Sequence, residues 1–101
     1  MNNNERLTAL RNIYYEICSN LPANIYNEFM SVKHEDQFII ATRNYTNNDI
    51  NADAILYDSI EDGIFEDIDK FQQFLLDQIE LHITNRNKYN LEQISKIRAN
   101  I

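Results

Sequence analysis

The residues that could perform chemistry are few and poorly placed for it. Cys18 is the single cysteine, and it lies at helical spacing from Tyr14 and Leu21, which is typical of a buried structural thiol. No His or Lys lies close to it in sequence, so a nucleophilic role is not expected. His34 and His82 are separated by most of the chain, a spacing that matches no metal site. With one glycine there is also no glycine-rich phosphate loop, so we expect no catalytic residue, no metal and no cofactor.

The least ordinary feature of the sequence is a run of acidic residues. Residues 51–80 contain nine Asp or Glu and one Lys, whereas residues 81–101 contain four Lys or Arg and one Glu. The acidic run, uninterrupted by Lys or Arg, consists of Asp53, Asp58, Glu61, Asp62, Glu66, Asp67 and Asp69. It can be a solvated surface whose members also stabilise a helix N-terminus, where Asp67 would cap. The alternative is a docking surface that steers a basic partner and makes binding salt-dependent.

A calcium loop is a third interpretation of this segment. The first, fifth, sixth, ninth and twelfth positions of an EF-hand loop would be Asp58, Asp62, Gly63, Glu66 and Asp69. However, Ile60 stands at the third position, where an oxygen ligand is required, and a strand instead of a helix is predicted before the loop. We therefore expect no calcium site.

The size and composition indicate one domain. A chain of 101 residues with 44% hydrophobic residues can form a single compact domain over residues 1–101. One Gly and one Pro are too few for the many tight turns of an all-β fold. No N-terminal signal pattern and no apolar stretch of about 20 residues occur, so we expect a cytoplasmic protein without a membrane contact.

The first element predicted is an amphipathic helix over residues 5–19. Its apolar stripe consists of Leu7, Leu10, Ile13, Tyr14, Ile17, Cys18 and Leu21. Asn3 or Asn4 can cap its start, and Pro22 prevents its continuation beyond about residue 21.

Two strands are indicated in the middle of the chain. Residues 37–43 and 54–58 hold runs of β-branched and aromatic residues, and no crossover helix separates them, so we expect an antiparallel pair. The polar, Asn-rich residues 45–53 are predicted to form a loop. The segment before this pair is ambiguous: the helical spacing in residues 25–32 favours a short helix, whereas residues 29–33 could form a third strand.

A long helix is predicted over residues 67–85, after a turn at Asp62 and Gly63. Its apolar stripe consists of Ile68, Phe71, Leu75, Ile79 and His82 or Ile83, with Ile64 and Phe65 leading in. Phe74 and Leu81 lie off this stripe, so the helix is either central or part of an interface.

A separate last helix is predicted after a break at residues 87–90. Asn90 and Gln93 have the spacing of a capping box, and the apolar residues expected to face inward are Leu91, Ile94, Ile97 and Ile101. The expected fold class is α+β, with amphipathic helices packed on a small antiparallel sheet of two or three strands and a long helix in the C-terminal half.

The function we expect is a non-enzymatic binding protein. The residues expected to contact the partner are Asp53, Tyr57, Asp58, Glu61, Asp62, Phe65, Glu66, Asp67 and Asp69. The partner would be a larger basic protein that normally holds nucleic acid, whose backbone charge the acidic rows would mimic. The chain itself is too acidic to bind nucleic acid directly.

In general character, being small, acidic and rich in Asn and Ile, the chain resembles the inhibitors that phages and mobile elements direct at nucleic-acid-handling machinery. These include anti-CRISPR and anti-restriction proteins, and the resemblance is one of kind and not of sequence. The alternative function is a self-associating structural or regulatory subunit. In that case the broad apolar face of the long helix, with Phe74 and Leu81, would form a homodimer contact.

Overall fold

The computed structural model describes residues 2–46 and 49–100 and has an α+β architecture. In chain order the elements are α1 (Asn3–Ser19), α2 (Ala23–Tyr26), β1 (Phe29–His34), β2 (Gln37–Thr46), β3 (Asp49–Asp58) and α3 (Ile68–Ala99). The strands form one antiparallel sheet in the order β1-β2-β3, and α3 packs against α1. The expected fold class is confirmed, with three strands in the sheet.

The helix α1 begins earlier than predicted. Asn2 is its N-cap, in extended conformation, and its side chain accepts a hydrogen bond from the backbone N–H of Glu5 at 2.8 Å. The predicted caps, Asn3 and Asn4, already have helical backbone, so that prediction is wrong by one or two residues. The helix ends at Ser19, three residues before the proline, as its sequence indicates.

The ambiguous segment before the sheet contains both predicted alternatives. The helix α2 has only four residues, and the favoured helix over residues 25–32 is wrong beyond Tyr26. Phe29 instead begins β1, where it pairs with Thr42 and is 1% exposed. Such a short helix is unstable by itself, whereas the strand satisfies its backbone groups on β2 and buries an aromatic ring.

The strands β2 and β3 extend through the predicted loop. The strands expected over residues 37–43 and 54–58 are confirmed, and so is their antiparallel pairing. The loop expected over residues 45–53 is wrong where the structure describes it, because the pairs Asn44↔Asn51 and Thr46↔Asp49 continue the ladder. Asn47 and Asn48 lie outside the described residues. Pairing that is already established by the neighbouring residues overrides the weak preference of Asn and Asp against strands.

The core lies on one face of this sheet. Phe38 and Tyr57 are fully buried beneath the two long helices. The Tyr14 ring of α1 lies 6.4 Å from that of Phe38, and the Phe71 ring of α3 lies 5.3 Å from that of Tyr57. On the opposite face Ile55 is 55% exposed, so α1 and α3 cover a single side of the sheet.

The helix α3 is longer than predicted. It runs unbroken for 32 residues, so the break expected at residues 87–90 and the cap expected at Asn90 are wrong. No Gly or Pro occurs between Ile68 and Ala99, and Asn inside a helix costs only about 0.5 kcal/mol relative to Ala. The expected cap at Asp67 is confirmed, since its Oδ1 accepts from the backbone N–H of Asp69 at 2.9 Å.

The length of α3 sets the length of the molecule. At a rise of about 1.5 Å per residue the helix is about 48 Å long. The longest dimension of the molecule is 60 Å, against 30 and 25 Å in the other two directions. The sheet and α1 are too short to cover such a helix, so its C-terminal part extends beyond them.

Candidate functional site

The acidic residues lie mainly on the connection between β3 and α3, whose backbone is hydrogen-bonded by side chains. We call residues 58–69 the acidic connection. The Tyr57 hydroxyl donates a hydrogen bond to the Gly63 carbonyl at 2.7 Å, and Gly63 has a φ of 82°, which glycine adopts without strain. The Asp62 carboxylate accepts from the Asp58 N–H at 2.9 Å, and the Asp58 carboxylate accepts from the Ile60 N–H at 2.9 Å. Side chains therefore fix the backbone of this connection.

Hydrogen bonds donated to its carboxylate stabilise the ionised form of Asp58. The hydrogen bond from the Ile60 N–H lowers the pKa of Asp58 most, and the Gln37 side chain, which donates at 3.2 Å, lowers it further. With Asp67 at the helix cap, three carboxylates of the acidic run are thus engaged with backbone N–H groups of the connection or the helix that follows it.

The acidic side chains are nevertheless open to a partner. Among the predicted contact residues, those exposed are Asp53, Glu61, Asp62, Glu66, Asp67 and Asp69, whereas Asp58 is half-buried. The Glu66 carboxylate lies 3.6 Å from the Arg6 guanidinium of α1. Because Glu66 is 81% exposed, this ion pair contributes little to stability.

The two aromatic residues predicted for the contact surface belong to the core instead. Tyr57 is 0% exposed, and its ring packs against Phe71, so it is unavailable to a partner. Burial raises the pKa of Tyr57 to about 12, with further contributions from Asp62 and Asp58. Phe65 is half-buried, with its ring 5.3 Å from that of Phe74. The sequence placed both beside acidic residues, but it did not show that the connection folds back over the start of α3.

The helix α3 has two halves in different environments. We call residues 68–83 the docked half and residues 84–99 the distal half. In the docked half the buried residues are Phe71, Leu75 and Ile79, as predicted. In the distal half the exposed apolar residues are Tyr89 at 59%, Leu91 at 65%, Ile94 at 47% and Ile97 at 61%. The prediction that Leu91, Ile94 and Ile97 face inward is therefore wrong, and Ile101 lies outside the described residues.

An ion cluster that the sequence did not reveal connects α3 to the residue before β1. The Glu28 carboxylate, just before β1, lies 3.2 Å from the His82 ring Nε2 and pairs with the Arg86 guanidinium. The Phe29 ring meets the His82 ring edge-on at 5.3 Å. His82 and Arg86 are four residues apart and share a helix face, which was a signal for a shared acidic partner. The identity of that partner depends on topology.

Further apolar side chains of the docked half reach the surface. Leu76 is 39% exposed and Leu81 is 54% exposed, while Phe74 is half-buried and packs against the core. The expectation that α3 is apolar over more than one face is thus confirmed, with Leu81 contributing to the outer face and Phe74 to the core.

The described residues contain no group of three or more His, Cys, Asp or Glu side chains arranged to hold a metal ion. Cys18 is buried, and burial raises the pKa of its thiol. Within residues 2–46 and 49–100, no helix is both long and apolar enough to cross a membrane.

Comparisons with protein-family models, with curated proteins and with solved structures found no match to the chain.

Proposed function

We propose that this chain is a non-enzymatic structural or regulatory subunit that self-associates through α3. The observation that carries the proposal is the distal half, where four large apolar side chains are between 47% and 65% exposed. Leu91, Ile94 and Ile97 follow one another at intervals of three residues, so successive members share a helix face. Exposed apolar patches mark interaction sites on proteins. A second copy of the chain is the occupant that its charges favour.

The charges of α3 are opposite in its two halves. The docked half carries Asp69, Asp77 and Glu80 against a single Lys70, whereas the distal half carries four Lys or Arg against one Glu. Two parallel helices would place like charges together, while an antiparallel pair places the acidic end of each helix against the basic end of the other. Such complementarity selects orientation more than it adds affinity.

The spacing of residues defines the register of this pair. Asp69 and Leu76 are seven residues apart, as are Leu91 and Arg98, so each pair shares a helix face. Antiparallel alignment about the helix midpoint places Leu76 opposite Leu91 of the second copy and Asp69 opposite its Arg98. A two-fold interface repeats both contacts, because the same surface serves each subunit.

The mass of the protein in solution tests self-association. We expect light scattering coupled to gel filtration to give a dimer whose population rises with concentration, and Leu91→Glu to give a monomer. Ile60→Glu is the matched control, because Ile60 is 67% exposed in the acidic connection and Leu91 is 65% exposed in the distal half. A wild-type protein that stays monomeric at high concentration rules out the proposal.

Charge exchange tests the antiparallel register separately. Asp69→Arg and Arg98→Asp should each weaken the dimer, and the double variant should restore it, because the pair is re-formed with its signs reversed. A dimer that is sensitive to Leu91→Glu but indifferent to both charge changes would keep self-association and exclude this register.

A second candidate is the acidic inhibitor of a basic, nucleic-acid-handling protein. It is supported by the exposed carboxylates of Glu61, Glu66 and Asp69 on a connection whose backbone is fixed, since a preorganised surface loses little entropy on binding. A phage or mobile-element inhibitor of the anti-CRISPR or anti-restriction type would use such a surface.

The test of this second candidate reverses only the carboxylates that do not hold the backbone. Glu61, Glu66 and Asp69 are changed together to Lys, and the control changes Glu16, Glu35 and Asp36, which are also exposed, to Lys. A basic partner should be retained at low salt, released by duplex DNA and lost only with the first triple variant. Equal loss with the control would show a net-charge effect and remove the candidate.

A further inference from the structure

A pocket beside α1 is lined by an arginine, Arg43, that pairs with no carboxylate among the side chains that the structure describes. Its volume is about 370 Å³, and it is lined by Tyr14, Tyr15, Tyr26, Met30, Ser31 and Arg43. The Arg43 backbone N–H donates to the Glu28 carbonyl at 2.7 Å, which places the residue at the end of the β1–β2 pairing. The pocket therefore sits on regular elements rather than on a loose loop.

The Arg43 side chain is incompletely satisfied. Its Nε is buried and has no hydrogen-bond partner, and its guanidinium forms no ion pair with a carboxylate of residues 2–43 or 52–100, whose side chains the structure describes. Buried donors in folded proteins are nearly always paired, with protein, water or a bound ion. A buried cationic donor is the most costly kind to leave without a partner.

The surroundings of Arg43 do not neutralise it. None of the described residues that line the pocket is acidic, although the chain has 16 Asp or Glu against nine Lys or Arg. Burial raises the pKa of the Tyr14 phenol strongly, and the nearby Arg43 only partly offsets that rise. Tyr14 therefore remains neutral and cannot serve as the missing anion.

A second chamber of about 370 Å³ adjoins the first. Tyr15 and Tyr26 line both, and the second chamber is completed by Cys18, Ser19, Leu21 and Ala23. It is again free of acidic lining residues, and Leu21 and Ala23 give it apolar walls. One chamber thus offers a cation with hydroxyl groups, and the other offers apolar surface.

We propose that these two chambers bind a small amphipathic ligand with an oxyanion head, in which the head is a carboxylate or a phosphate. The head accepts hydrogen bonds from the Arg43 guanidinium and from hydroxyl groups of the first chamber, because a guanidinium matches the planar, bidentate geometry of an oxyanion. The apolar body of the ligand lies in the second chamber against Leu21 and Ala23. This site is separate from α3 and does not depend on self-association.

Three probes with the same tail separate the contributions of head and body. Hexanoate carries a carboxylate, hexyl phosphate carries a phosphate and 1-hexanol carries neither charge. Each is titrated into nitrogen-15-labelled protein, and the Arg43 Nε–Hε resonance is followed by NMR. We expect a saturable shift with at least one of the two anions, and binding at least about tenfold weaker for hexanol. The tighter of the two anions identifies the chemical source of the head.

Substitutions of the lining residues test whether the anion binds in these chambers. Arg43→Gln should weaken binding of the anion at least about tenfold, whereas Lys70→Gln, at an exposed cation in the first turn of α3, should leave its affinity unchanged. Tyr26→Phe, which keeps the ring and removes the hydroxyl, gives an independent variant if Arg43→Gln fails to fold, and it should weaken binding by a smaller factor. No saturable shift with either anion, equal binding of hexanol, or equal loss in the Lys70→Gln control would overturn the proposal.

Discussion

The two halves of α3 belong to one continuous helix, yet only one of them is buried. In the docked half Phe71 and Leu75 are 0% exposed, whereas in the distal half Leu91 and Ile97 are 65% and 61% exposed. Their apolar residues are of similar type and recur at similar spacing, so the helix sequence does not account for the difference. What differs is the structure opposite them: the docked half packs on the core, and the ion pairs that α3 makes with Glu28 are at His82 and Arg86, where the two halves meet.

The distal half is helical for a different reason than the docked half. An isolated helix of about 15 residues is marginal in water, because nucleation costs more than the first hydrogen bonds return. The docked half removes the cost of nucleation, because packing on the core already holds that half helical. The distal half only continues a helix that has formed. Lys96 and Arg98 in the last turn add a favourable interaction with the helix dipole. The distal half is therefore held helical by its backbone hydrogen bonds and by this interaction of charge with the dipole.

The largest expected contrast comes from truncating one leucine in each half. Leu75→Ala should lower the free energy of unfolding by about 2–5 kcal/mol, because it opens a cavity in a fully buried site. Leu91→Ala should change it by less than about 0.5 kcal/mol in dilute, monomeric protein, because nothing packs on the side chain. Urea unfolding followed by circular dichroism measures both. Equal losses would mean that the distal half is buried in the monomer, contrary to the structure.

A second comparison is between the stability effects of removing one tyrosine hydroxyl at each half of α3. Tyr57 packs against the docked half and donates to the Gly63 carbonyl, so Tyr57→Phe should cost about 1 kcal/mol at neutral pH. Tyr89 is 59% exposed in the distal half, so Tyr89→Phe should cost nothing measurable.

The same tyrosine pair gives a dependence on alkaline pH. The folded protein holds the Tyr57 proton up to a pKa of about 12, whereas the unfolded chain releases it near its ordinary value of 10.0. Above that value the unfolded state binds fewer protons, so stability falls as pH rises from the unfolded pKa to the folded one. Tyr57→Phe should reduce this loss and Tyr89→Phe should not. A wild-type alkaline loss that survives in Tyr57→Phe would assign it to other groups, of which buried Tyr14 is the first to test.

The sequence predicted the parts of this molecule whose burial follows local periodicity. The stripe of α1, the buried residues of the docked half and the paired strands were all identified from spacing and residue type. Phe29 was missed, because its spacing from Ile25 suits a helix and only pairing with β2 decides the strand. Tyr57 was assigned to the surface for a related reason: its acidic neighbours point outward while its own ring points into the core.

The candidate sites depended on tertiary structure in the same way. Arg43 was counted only as the last residue of a strand, and the tyrosines that surround it come from α1 and α2. Glu28 stood in an ambiguous segment with no sign that α3 would meet it. Periodicity shows which face of an element is buried, but it does not show which elements meet or where a neighbour ends. That second kind of information determines the difference between the docked and distal halves.

The smallest expected effect is that of substituting Asn90. It distinguishes one continuous helix α3 from the two separate helices that the sequence predicted. If Asn90 lies inside a continuous helix, as the structure has it, Asn90→Ala should stabilise the distal half by about 0.5 kcal/mol through helix propensity alone. If Asn90 instead capped a separate helix, the same change would remove a cap and destabilise that helix by about 1 kcal/mol. The sign of the effect therefore decides between the two structures. Global unfolding measures this effect poorly, because the docked half determines when the domain unfolds. The measurement is therefore amide hydrogen exchange of residues 87–97. Their protection should rise in Asn90→Ala and fall in Asn90→Gly.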